Sequence, residues 1–226
     1  MARTMSTRAV SAAGVGRTAS REVRRRQLID ATIESIAKHG LSETTMATVT
    51  KIANLSQGIV NFHFKTKETL LIETIGFLAE EHSAQWRKTY EKSGSTPKEK
   101  LSALVESDFH PSVCNRKKLT VWFAFYGEQK YRAAYRERCA EIDKDRLAET
   151  EQMCRLIKEE GDYDNLDPRS FAQSLEAFID GLWLNILLYP KTFSRQHAME
   201  ECFAYLAATF PQHFSRPAAS EPCRSV

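Results

Sequence analysis

Between positions 56 and 67 the chain carries side chains suited to gripping and reading a nucleic acid. Gln57 and Asn61 end in amides whose paired donor and acceptor match the N6 and N7 edge of adenine, and Val60 offers an apolar surface to a thymine methyl. Gly58 permits close backbone approach. His63, Lys65 and Lys67 are donors suited to phosphate oxygens, contacts that position a domain without reading sequence.

A second set could hold a small cation. Trp122 and Tyr126 stand four residues apart, Phe109 precedes them, and Asp180 shares a helical face with Trp183 at i and i+3. Aromatic faces attract a quaternary ammonium, which donates no hydrogen bonds, and a carboxylate supplies the countercharge. The composition fits choline or a related amine. The same stripe at helical spacing also serves simple core packing, and Asp180 could equally cap or pair.

The first set needs two short helices and a tight reversal to present it. From Thr45 to Ala53 the apolar residues Val49, Ile52 and Ala53 recur at helical spacing, and Thr44 or Thr45 supplies an N-cap oxygen. Asn54 marks the reversal, since Asn tolerates a positive φ better than any residue but Gly. Ser56 caps a second helix. Leu55, Ile59 and Phe62 turn into a small core and leave Gln57, Gly58, Val60, Asn61 and His63 outward. Thr66 caps the next helix. The whole spells a helix-turn-helix, which delivers its second helix into the DNA major groove.

Three runs in this order, RRRQLIDATIESIAKHG, TTMATVTKIANLS and QGIVNFHFKTKETLL, resemble the DNA-binding domain of TetR-family transcriptional repressors. The likeness is dense from about residue 21 to 71, and the helix count and lengths beyond are also similar to that family. RRRQLIDAT with IDGLWL at 179–184 looks most like the BetI branch, choline-responsive repressors of betaine synthesis. Two positions depart from the family pattern: Asn54 where Gly is usual, and Asn61 and Phe62 where Tyr is common. The resemblance extends the DNA-facing set to Thr45, Met46, Ser56 and Phe62, and the loss of a phosphate-binding tyrosine implies a different operator.

Charge is distributed accordingly. Residues 1–68 hold 11 Lys and Arg against 5 Asp and Glu, so +6, while the whole chain is +3, leaving −3 for the rest. Residues 1–20 contain no acid and no sustained apolar run, and read as a disordered basic arm whose Arg3, Arg8 and Arg17, with Arg21, reach toward flanking DNA. No stretch has secretory or membrane-spanning length, which fits a cytoplasmic protein. Five scattered cysteines, Cys114, Cys139, Cys154, Cys202 and Cys223, fit reduced, inert thiols. The six histidines are dispersed, and no nucleophile elbow, phosphate loop or metal-spaced cluster is present. Neither an enzyme nor a cofactor or metal is expected.

The expected organisation is all-α: a basic arm over 1–20, a helix-turn-helix domain over 21–66, a helical ligand-binding and dimerisation domain over 67–213, and a disordered tail over 214–226. Helices are expected over about 67–91, 97–108, 115–129, 133–160, 168–188 and from Ser194 to about 209, broken at Pro97, His110-Pro111, Gly161 and Tyr189-Pro190. From Phe178 to Leu188 the eighth helix is apolar nearly all round. Something must cover both sides, which points to a homodimer through helices eight and nine and a palindromic operator. A ligand would then tilt helix four and release the DNA. The rival expectations are a regulator of the same fold sensing a neutral lipophilic compound, and a ligand-independent architectural DNA-binding protein.

Overall fold

The computed structural model describes the backbone over residues 13–128 and 132–216, and over these residues the chain is all-α with nine helices. In chain order they are α1 (Ala13–Glu43), α2 (Met46–Ala53), α3 (Gln57–His63), α4 (Lys67–Lys92), α5 (Pro97–Asp108), α6 (Arg116–Gly127), α7 (Arg132–Gly161), α8 (Pro168–Leu188) and α9 (Arg195–Thr209). The breaks fall where the chain supplies stop and start signals. Thr96 and Glu99 form a capping box ahead of Pro97, Asp167 accepts from the Ser170 amide ahead of Pro168, and Ser194 accepts from the His197 amide.

The N-terminal unit is α1 to α3. Leu28, Ile29, Ile33 and Ile36 of α1 are buried, and α1 packs against α2, α4 and α6. Gly40, at φ 81, kinks the end of α1, a conformation costly to any residue with a Cβ. Thr45 and Thr48 close a reciprocal capping box on α2, so Thr45 rather than Thr44 is the N-cap; Thr44 turns its hydroxyl to the Gly40 carbonyl at 2.8 Å. Asn54 adopts the left-handed conformation at φ 52 and ends α2. The Gln27 amide, from α1, donates to the Ala53 carbonyl at 2.7 Å and satisfies one of the acceptors that α2 leaves open.

With seven residues α3 is far too short to persist alone. Val60 and Phe64, at 0% and 1% exposure, anchor it beside α2 in the buried cluster that α1 also enters. Ser56 occupies the N-cap position, but its hydroxyl makes no capping bond. Thr66, by contrast, accepts from the Thr69 amide at 3.1 Å and starts α4 as expected.

Helix α4 spans 26 residues, about 39 Å, and joins the N-terminal unit to a bundle of α5 to α9. The bundle core is built from Leu101, Leu104, Leu119, Phe125, Ile157, Leu175, Leu182, Leu206 and Phe210.

Two expectations about the chain ends are corrected. Helix α1 already runs from Ala13, so the stretch assigned to a disordered arm is helical from that point; Arg3, Arg8 and Cys223 lie outside the described residues. At the other end Phe214, assigned to the tail, is 5% exposed and packs on Phe210 at 6.3 Å between ring centres.

Candidate DNA-binding face and ligand cavity

Helix α3 presents Gln57, Gly58, Asn61 and Phe62 to solvent. The Gln57 amide donates to Asn61 Oδ1 at 3.3 Å, a long bond that a better partner would replace. A side-chain carbon added at Gly58 would meet little beyond the Ser56 hydroxyl at 3.9 Å, so this surface is open to close approach. Thr45 and Ser56 are exposed and Met46 is half-buried at the helix starts.

Two side chains reverse their expected places. Val60, assigned outward to a thymine methyl, is fully buried; a seven-residue helix needs its central apolar residue for anchorage. Phe62, placed in the core by its apolar character and on the DNA-facing side by the family resemblance, is 70% exposed. Two residues are about 200° around a helix, so burying Val60 forces Phe62 to the opposite side. The Arg21 guanidinium lies 5.6 Å from the Phe62 ring centre.

The cations around this face are not equivalent. Lys65 is exposed, whereas Lys67 already donates to the Ser42 carbonyl at 3.1 Å. His63 is half-buried, and burial together with Arg21 and Arg25 lowers its pKa below the ordinary value, so at neutral pH it is a neutral donor rather than a cation.

In the bundle, five helices line a partly open cavity of about 610 Å³. Its walls include His82 of α4, Asp108 of α5, Trp122 and Tyr126 of α6, Asp143, Lys144 and Arg146 of α7, and Glu176, Asp180 and Trp183 of α8. Of the five side chains expected at a ligand site, Trp122, Tyr126, Asp180 and Trp183 meet here. Phe109 does not; it is 3% exposed in the hydrophobic core, where it closes the C-terminus of α5.

The polar half of the wall is a paired network. Arg146 donates to Asp108 and to Glu176, and His82 Nε2 lies 2.7 Å from the other Asp108 oxygen. Burial pushes the Asp108 carboxyl up, but Arg146 and His82 more than offset this and hold it ionised below the usual range. Burial likewise opposes the charge on Arg146, and Asp108 and Glu176 retain it. The Trp183 indole donates to the Asp108 carbonyl at 3.1 Å, which fixes the ring against the network. The Arg146 Nε is buried without a hydrogen-bond partner.

Asp180 stands apart from these pairs. Burial first, then the negative Glu176 and Asp108, raise its pKa to about 6. In the lining, the four carboxyl groups of Asp108, Asp143, Glu176 and Asp180 outnumber the two cations Lys144 and Arg146. The cavity therefore favours a cation. His82, Asp108, Arg146 and Glu176 were not identified from sequence; the local hint was a pair of acids, Glu176 and Asp180, at i and i+4 on α8.

Side-chain contacts join the two units. Arg25 pairs with Glu73 and the Arg26 guanidinium lies 3.9 Å from the Phe77 ring centre, tying α1 to α4. Lys117 of α6 meets Glu34 of α1 at 2.5 Å. The two helices that contribute His82, Trp122 and Tyr126 to the cavity thus also bear on the DNA-facing unit.

The four thiols among the described residues are buried, and burial raises Cys114 and Cys154 to about 12, so these two stay protonated at neutral pH. Among the described residues no His, Cys, Asp and Glu cluster could hold a metal, and no helix is long and apolar enough to cross a membrane.

Comparison with known proteins agrees in both halves. Residues 28–74 match the family described as bacterial regulatory proteins, tetR family, and residues 97–211 match BetI-type transcriptional repressor, C-terminal. The HTH-type transcriptional regulator BetI of Paraburkholderia phymatum is 33% identical over 186 residues, 82% of this chain and 92% of that protein. The BetI regulator of Pseudomonas aeruginosa is 31% identical over 188 residues, 81% of this chain and 91% of that protein. Among solved structures, a transcriptional regulator from P. aeruginosa superimposes with a TM-score of 0.73 at 25% identity, covering 86% of this chain and 95% of that one. A regulator from Saccharomonospora viridis, solved in complex with choline, has the same fold: TM-score 0.72 at 19% identity, covering 82% and 96%. These relatives are regulators of transcription and not enzymes. The chain belongs to the tetR family of bacterial regulators, and within it to the BetI-type transcriptional repressors.

Proposed function

We propose that the protein is a dimeric repressor that binds a palindromic operator through α3 and is released by a small quaternary amine held in the α4–α8 cavity. One observation carries the ligand class: Trp122, Tyr126 and Trp183 line the same 610 Å³ space as Asp180, in a wall where carboxyl groups outnumber cations. Ring faces and a carboxylate together favour a cation that needs no hydrogen bonds. The choline found in the S. viridis relative supports the same class.

The DNA-side roles follow from chemistry. Gln57 and Asn61 read base edges, Gly58 allows the helix to sit close, His63, Lys65 and Lys67 contact the phosphate backbone, and Thr45, Met46 and Ser56 lie against the DNA at the helix starts. The dimer forms through α8 and α9, where Leu184, Leu188 and Tyr189 are 38%, 58% and 57% exposed. Two-fold symmetry then sets two α3 helices in successive major grooves. Ligand in the cavity shifts the population toward a state with α4 displaced, because its walls bind that state more tightly.

The effector class is tested by calorimetry with choline and with 3,3-dimethylbutan-1-ol, its neutral isostere. Preference for choline by tenfold or more is expected. Equal affinity for the two would favour the rival reading, a sensor of neutral lipophilic compounds.

A further inference from the structure

We infer that Phe62 is a specificity-determining residue that docks its ring on a thymine methyl of the operator. The inference rests on the reading of α3 as the recognition helix. Phe62 is 70% exposed, the largest exposure of any large hydrophobic side chain in the described residues. It occupies the same open surface as Gly58, one helical turn earlier, and flanks the Gln57 and Asn61 amides. Val60, the aliphatic candidate for that contact, is fully buried, so Phe62 is the large apolar group that α3 itself turns outward.

The C5 methyl of thymine is the apolar group that the major groove presents, and an aromatic ring covers it without needing a hydrogen bond. The Arg21 guanidinium lies over one face of the Phe62 ring, 5.6 Å from its centre, and brings positive charge close to this surface. Phe62 therefore reads thymine next to the bases that Gln57 and Asn61 address. No hydroxyl is present to bond a phosphate, which separates this role from a backbone-gripping tyrosine at the same place.

The test begins with selection of bound duplexes from a random pool by the full-length protein, followed by replacement of each thymine in turn by deoxyuridine, which lacks only the methyl. At one position in each half-site, removal of the methyl is expected to weaken wild-type binding by about three- to fivefold, the worth of one buried methyl group. Phe62→Ala should weaken the intact operator by at least as much and be indifferent to uracil there, while Phe62→Leu should keep part of the methyl response. Because the side chain is exposed, both variants should fold with unchanged helicity. If no uracil position has an effect that depends on Phe62, or if Phe62→Ala weakens every duplex alike, the inference is overturned and the ring is a sugar-phosphate contact. Failure to select any duplex would overturn the DNA-binding reading itself, and so is distinguishable from loss of the methyl effect.

Discussion

Asp180 is the residue on which the ligand reading turns, because its environment holds back its ionisation. A carboxyl raised from 3.8 to about 6 releases its proton later in the folded than in the unfolded chain. The stability of the unliganded protein should therefore fall as pH rises from about 4 to 6 and level off above. Asp180→Asn removes this cost, and thermal denaturation at pH 7 should show it stabilised, on the order of 1–3 kcal/mol as an upper range. The same variant should lose cation binding. A purely structural acid would show loss of stability instead, with ligand affinity intact. Choline affinity should also drop by about tenfold from pH 7 to pH 5, as Asp180 gains its proton and the countercharge is lost. Calorimetry across that range checks the sign.

Arg146 tests the paired part of the wall. It is buried between Asp108 and Glu176, so Arg146→Met leaves two carboxylates without their cation. Breaking such a network should cost about 3–5 kcal/mol in chemical denaturation. Replacing a solvated surface arginine would cost almost nothing by the same measurement.

At the scale of elements, the local signals in the sequence carry most of the helix boundaries. Thr45, Thr66, Thr96 and Ser194 each accept the bond that ends or begins a helix within three residues, so a reader of neighbouring residues finds them. Asn54 is the sharpest case: its left-handed backbone at φ 52 is the reversal between α2 and α3. Asn54→Gly should be neutral within about 0.5 kcal/mol, and Asn54→Val should lose about 1–2 kcal/mol, as measured by urea unfolding. What the sequence conceals is which side of a short helix is held. Period alone left Val60 outward and Phe62 inward, while packing beside α2 demands the reverse. The cavity network was hidden for a related reason. His82 meets Asp108 across 26 positions and Arg146 meets it across 38, distances at which spacing carries no signal. Trp122 with Tyr126, and Asp180 with Trp183, were visible because each pair lies within one helical turn.

For the whole molecule, the exposed apolar end of α8 and the amphipathic cavity ask for different partners. Leu184 and Leu188 lie one turn apart, both turned to solvent, and a second copy of the chain would cover them. Leu184→Glu with Leu188→Glu should convert the protein to monomers in sedimentation equilibrium. The helical content of the bundle should persist, since neither side chain is in the core. A monomer would grip a single half-site and lose the affinity that a linked pair gains. An unchanged dimer would move the interface elsewhere on the surface. The positive charge excess of the first 68 residues further predicts operator affinity that falls steeply with salt, and Lys65→Ala should reduce that slope by about one ion.

The coupling of cavity to DNA face is measured most directly by fluorescence anisotropy of the full-length protein on its selected duplex, titrated with choline at fixed salt. Affinity should fall severalfold or more as the wild-type cavity fills, with Asp180→Asn binding the duplex normally and ignoring choline. If choline saturates the wild-type protein by calorimetry yet duplex affinity does not move, the cavity and the recognition helix are not linked, and the account is contradicted.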